Sequence, residues 1–305
     1  MTKTKRNMSI LSIILVGALT FTSCKKKDKE VFDDTVDTNQ SGASANNSAE
    51  SASIDITSMG SEASDMSTSV GLGNYRSAGV NETSNLSCAT VVNDTLNKTV
   101  IVSFSGGICL DGKTRSGSLV YDYSASTNGA KRYRQPGFKM SVTSNNYAVN
   151  GNVVTINNKT ISNITATGFN PLSTNLTWSI SASISVALSG GGSISWNCNR
   201  ITALLNTAAV YTNSTTPINW SAARIGYTGS AGGTRSNGET FTANITNQLI
   251  RDRGACTGFK RHVFIQGTLI YAPANKATRT FDYGNGACDL NATVTINGIS
   301  YPFVL

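Results

Sequence analysis

The chain has 305 residues, with 25 Lys plus Arg against 17 Asp plus Glu and a formal net charge of +8. It holds one histidine, His262, so no histidine pair exists for a zinc site, and a Ser–His–Asp triad would have to use that residue. The charge is unevenly laid out: residues 25–70 carry four lysines against nine acids, net −5, whereas residues 71–305 carry 18 basic against eight acidic side chains, net +10.

Lys3, Lys5 and Arg6 form a positive start, and Ile10 to Leu19 is a short, mostly apolar run ending at Thr22, Ser23 and Cys24. A membrane-spanning helix needs about 20 apolar residues, roughly twice what is present, so residues 1–23 read as a cleavable secretory signal. Its ending resembles a bacterial lipobox, in which the cysteine receives lipid and becomes the mature N-terminus. Phe21 departs from that pattern, which usually has an aliphatic residue there, and an ordinary signal with an incidental cysteine is the plainer alternative. The charged stretch after Cys24 is similar to that of surface-displayed lipoproteins of Bacteroidota. The resemblance implies an outer-membrane lipid anchor at Cys24 and an outward-facing protein, with the periplasmic face as the alternative.

Residues 24–80 are rich in Ser, Ala, Asn and acid and poor in large apolar residues. Such a composition predicts a disordered acidic tether between the lipid and a folded domain. Asp34–Val36 and Asp94–Leu96 are similar to the short Asp-Thr-aliphatic sites that Bacteroidota glycosylate.

Residues 81–305 are enough for one large domain. From Leu176 to Leu188, apolar residues alternate with Ser, Thr and one Ala, which predicts a long strand with one buried and one wet face. Asn297-Gly298 and Asn150-Gly151 each lie between alternating runs and predict two-residue hairpin turns. The first sets Ile296 opposite Ile299, Val294 opposite Tyr301 and Ala292 opposite Phe303. Only the segment near residue 205 has the look of a short helix. The expected fold is all-β: long antiparallel strands in a twisted or strongly curved sheet, a sandwich or an incomplete barrel.

Two stretches share an order of strand, aromatic, Gly-rich turn, Cys, Asp and strand. Phe104, Gly107, Cys109 and Asp111 answer to Phe281, Gly286, Cys288 and Asp289, and Thr114–Gly117 reappears as Thr-Arg-Ser near residue 235. These units resemble a family of Bacteroidota lipoproteins that brings no activity with it. The repeat favours bridges Cys88–Cys109 and Cys256–Cys288, in a disulfide-permissive compartment, and leaves Cys198 as a small buried residue or a reactive thiol.

No nucleophile elbow, zinc spacing or phosphate loop occurs, and no cofactor is expected. Basic and aromatic residues interleave at Lys131, Arg132, Tyr133 and Arg134, and again at Arg251, Arg253, Lys260 and Arg261. They suit acidic polysaccharide through bidentate hydrogen bonds and stacking, or else a charged strand edge that resists aggregation. Nucleic acid does not fit an exported domain. The expected function is a non-catalytic, lipid-anchored envelope protein with a structural or glycan-binding role. The alternative is an enzyme acting on surface polysaccharide with a carboxylate pair.

Overall fold

A computed structural model describes residues 41–66, 74–75, 86–256, 258 and 263–305. The chain divides into Met1–Thr35 and Val36–Leu305, and every described residue belongs to the second unit. The signal segment and Cys24 lie outside the described residues, as do Lys260, Arg261 and His262.

The unit begins with helix α1 (Ser41–Met66) and continues as strands β1 (Asn74–Tyr75), β2 (Ala89–Asp94), β3 (Thr99–Ile108), β4 (Thr114–Asp122), β5 (Lys139–Val149), β6 (Asn152–Asn163), β7 (Thr177–Ala187) and β8 (Ser193–Leu204). A one-turn helix α2 (Thr207–Val210) precedes β9 (Arg224–Arg235), β10 (Thr240–Asp252), β11 (Gln266–Pro273), β12 (Arg279–Asn285), β13 (Asn291–Ile296) and β14 (Ile299–Val304). The strands form one 14-stranded sheet in strict chain order. Each is antiparallel to its neighbour, and among the described residues no pairing joins β14 back to β1.

The expected all-β fold and its long strands are present. In β7, Trp178, Ile180, Ala182, Ile184 and Val186 are buried and the residues between them face outward. Asn297-Gly298 pairs Ile296 with Ile299, Val294 with Tyr301 and Ala292 with Phe303, the register read from the sequence. Asn150-Gly151 likewise pairs Val149 with Asn152. All four turn residues have positive φ, as the tight hairpin turn requires. The Thr114–Gly117 motif lies inside β4 rather than at a chain reversal. There Gly117 (φ 78°) occupies a register break, and a Cβ on it would stand 2.2 Å from the Asn146 carbonyl oxygen. Breaks of this kind, repeated in β3, β6 and β10, bend a sheet and sharpen its twist.

The bend has an object. Ser41–Met66, read from composition as disordered tether, is a helix of 26 residues packed against the inner face of the sheet. This corrects the tether for those residues. Ala45, Ala49, Ala52, Ile56, Met59 and Ala63 recur every four and three residues and are buried. Beyond the exposed first residue Ser41, a stripe at Ser44, Asn47, Ser48, Ser51, Ile54 and Ser58 is open or half-open. The other faces meet β4, β5, β6, β8, β9 and β11, because helix side chains or backbone lie against Arg115, Tyr121, Met140, Lys159, Arg200, Arg235 and Tyr271. A helix of this length is about 39 Å long, close to a 12-residue strand at about 40 Å, so it runs nearly the length of the sheet.

The two ends of the sheet differ. From β3 onward, connections from odd to even strands are short, for example 109–113, 150–151 and 297–298. Those from even to odd strands include 123–138, 164–176 and 205–223. Ser41 meets Arg235 at the short-turn end, while Asp65 reaches Arg134 and Trp220 at the long-loop end. The chain therefore enters the body at the short-turn end.

Candidate functional site

The inner face of the sheet is the most chemically loaded part of the molecule. It presents Arg115 from β4, Lys159 from β6, Arg200 from β8, Arg134 from the β4–β5 connection and Arg253 after β10, all buried. The helix brings four carboxylates to them. Asp55 Oδ2 and Oδ1 accept from Arg115 Nε at 2.9 Å and Nη2 at 2.7 Å, from Lys113 Nζ at 3.2 Å and from the Tyr147 hydroxyl at 3.1 Å. Glu50 takes Arg200 in the same two-pronged way, at 3.1 and 2.6 Å. Glu62 meets Arg253 at 2.6 Å. Asp65 pairs with Arg134 and also accepts the backbone N–H of Ile218 at 2.7 Å and the Trp220 indole N–H at 3.2 Å.

A buried charge without a partner costs several kcal/mol, so this pairing explains how so polar a helix can be enclosed. It also explains the opposed net charges of the two halves of the chain. For Asp55, burial alone would raise the carboxyl pKa. Lys113 and Arg115 outweigh burial and hold it well below the usual carboxylate range. Asp65 goes the other way, because burial outweighs Arg134 and the backbone donors and raises it. Among the described residues, no carboxylate lies within bonding range of Lys159. Its ammonium donates to the Ser53 carbonyl at 3.2 Å and hydroxyl at 2.8 Å, and burial lowers its pKa to about 8.

The basic–aromatic strip expected to hold acidic polysaccharide is mostly interior. Tyr133 is buried, stacked on Trp178 with ring centroids 4.6 Å apart. Arg134 and Arg253 are taken by Asp65 and Glu62, and Arg251 is buried with its Nη1 3.4 Å from the Tyr227 hydroxyl. Those four positions therefore do not form a surface anion site: paired with or covered by the body's own groups, they are closed to an external polyanion. Lys131 is exposed and Arg132 half-buried. Lys260 and Arg261 fall outside the described residues.

The bridges Cys88–Cys109 and Cys256–Cys288 are both formed, and Cys198 is free and buried. Asp111 accepts the Lys113 N–H at 3.2 Å and also pairs with Arg115, completing an Asp55–Arg115–Asp111 sandwich. Its repeat counterpart Asp289 accepts the Asn291 N–H at 2.9 Å. Sequence reasoning missed the whole interior lattice. The signal available was the four–three spacing of the helix's small apolar residues combined with acids at 50, 55, 62 and 65, in a chain whose other half carries a matching excess of arginine.

Among the described residues no helix is long and apolar enough to cross a membrane. On the outward side of β8, Ser193, Ser195, Asn197 and Asn199 are polar, while Ile201 is apolar and exposed. Comparison with family models, curated proteins and solved structures finds no match.

Proposed function

We propose that the protein is a non-catalytic, lipid-anchored component of the cell envelope of a Bacteroidota-type bacterium, held at the outer membrane through Cys24 and facing outward, with a structural role. The observation that carries this reading is the enclosure of α1. The first described element after the lipid attachment point is the core of the body, so a pull reaching it is borne by four buried ion pairs rather than by a peripheral loop. Sixteen residues separate Cys24 from Ser41. At no more than about 3.6 Å each they keep the body within roughly 60 Å of the lipid.

The described carboxylates support a structural role. Glu50, Asp55, Glu62, Asp65, Asp111 and Glu239 pair with cations. Asp94, Asp122, Asp252, Asp282 and Asp289 accept turn N–H groups. An enzyme of the glycosidase kind needs two carboxylates facing each other across an open cleft.

The test is fractionation. Cys24→Ala should move the protein from the outer-membrane fraction to the soluble one, with the body still folded. Retention of the variant in the membrane, uncleaved, would show that residues before Cys24 hold it there and would remove the lipid anchor.

A further inference from the structure

Three long connections meet at the end of the sheet opposite the entry of the chain. Residues 128–130 and 135–136 of the β4–β5 connection, 167–169 of the β6–β7 connection, and Tyr211 and Ser214 after α2 line an open groove of about 310 Å³. We propose that this groove binds one or two sugar rings of a neutral glycan.

Its size lies at the lower end of the range for small-ligand sites, roughly 300–1,000 Å³. One side is aromatic: Phe169 and Tyr211 have ring centroids 5.4 Å apart and planes 51° apart, both half-buried, so each keeps part of its ring open. Aromatic faces carry negative charge density and suit the C–H face of a pyranose. The other side is made of uncharged polar groups, with Asn128, Gln135, Thr167 and Ser214 in the lining and no ionisable side chain apart from the Tyr211 phenol. Amides and hydroxyls both donate and accept, as alternating sugar hydroxyls require. A uronic acid or sulfated sugar would call for a cation in the wall, and none of the described residues that line it is one.

The groove is also preformed. The Gln135 carboxamide oxygen accepts the N–H groups of Lys131 at 2.7 Å and Arg132 at 3.0 Å, which fixes the amide and leaves its NH₂ to donate. Arg134 Nε donates to the Ser214 carbonyl at 3.1 Å, while the same guanidinium is bound to Asp65 of α1. One wall is thus fastened to the central helix. Gly129 and Gly168, with φ of 68° and 74°, line the groove, and a Cβ on either would meet open space. Backbone is therefore directly accessible to a ligand at both positions. Fixed walls reduce the ordering cost of binding.

The experiment titrates the full mature chain in detergent with cellohexaose, mannohexaose, maltohexaose and hexagalacturonate. At least one neutral hexasaccharide should bind, hexagalacturonate should not, and Phe169→Ala or Tyr211→Ala should weaken binding at least tenfold. Thr167→Trp fills the groove without removing packing and should abolish binding with the melting temperature unchanged, which covers the case in which an aromatic truncation unfolds the loops. Binding of none of the neutral sugars, binding of the galacturonate alone, or binding unaffected by Thr167→Trp would each overturn the proposal.

Discussion

Arg115 of β4 and Asp55 of α1, sixty residues apart, form a two-pronged ion pair in which neither side chain has more than 2% of its surface exposed. The pair ties the acidic N-terminal segment to the basic sheet and is one of four such ties along the helix. Taking one partner away leaves the other charged in the interior, at a cost of about 3–5 kcal/mol. Asp55→Asn and Arg115→Met should each lower stability by that order in chemical denaturation at pH 7, and the double variant by less than the sum. The Asp55 carboxyl is depressed, so its stabilisation is complete above the unfolded carboxylate pKa and is lost as pH falls below it. The gap between wild type and Asp55→Asn should therefore narrow as the solution is acidified below about pH 4. Additive single changes, or a gap independent of pH, would mean that the pair does not form.

Gly60 gives a test whose sign depends on where the helix sits. In an exposed helix, Gly→Ala stabilises by about 1 kcal/mol. Here a Cβ on Gly60 would lie 2.3 Å from the ring of Tyr121, which is fully buried and donates its hydroxyl to the Ile56 carbonyl at 2.8 Å. Gly60→Ala should lower the melting temperature. A rise would place the helix away from β4.

Lys159 is a buried cation held by Ser53 rather than by a carboxylate. Its pKa falls from 10.5 to about 8 on folding, so the unfolded chain binds more protons between those values and stability rises with pH across that window. Lys159→Met should be more stable than wild type at pH 7, by up to about 3 kcal/mol, and the advantage should vanish near pH 10. A variant that is less stable at pH 7 would show that the two bonds to Ser53 outweigh the burial cost.

Much of the sheet was legible because its signals are local. Strict alternation marked β7, and Asn-Gly at 297–298 fixed the register of β13 and β14 to the residue. The helix was not legible from composition, because Ser, Ala and Asn serve equally in a disordered chain and in a helix pressed against a sheet, where small side chains allow close approach. What separates the two is the partner surface, and that surface is built from residues up to two hundred positions away. The Arg253–Glu62 pair spans 191 residues. The same non-local pairing misdirected the reading of Arg134 and Arg253, whose spacing near aromatic residues looks like a surface strip until the acids that claim them are in view.

Cys198 sits directly across from Ala182 on the inner face, and burial pushes its thiol up to about 11. It should resist iodoacetamide at pH 8 in the native protein and react fully after unfolding without reductant, while Cys88, Cys109, Cys256 and Cys288 remain unmodified. Removing Cys256–Cys288 by a double Ser change should cost about 2–4 kcal/mol. Alkylation of native Cys198 at the rate of a free thiol would contradict its enclosure.

Amide hydrogen exchange across residues 45–62 tests the central claim most directly, because a free tether and an enclosed helix differ by orders of magnitude in protection. The account predicts that these amides exchange as slowly as those of Trp178–Val186 in β7 and are released together with them when denaturant opens the sheet. Exchange of 45–62 at the rate of an unstructured chain, while β7 stays protected, would contradict it.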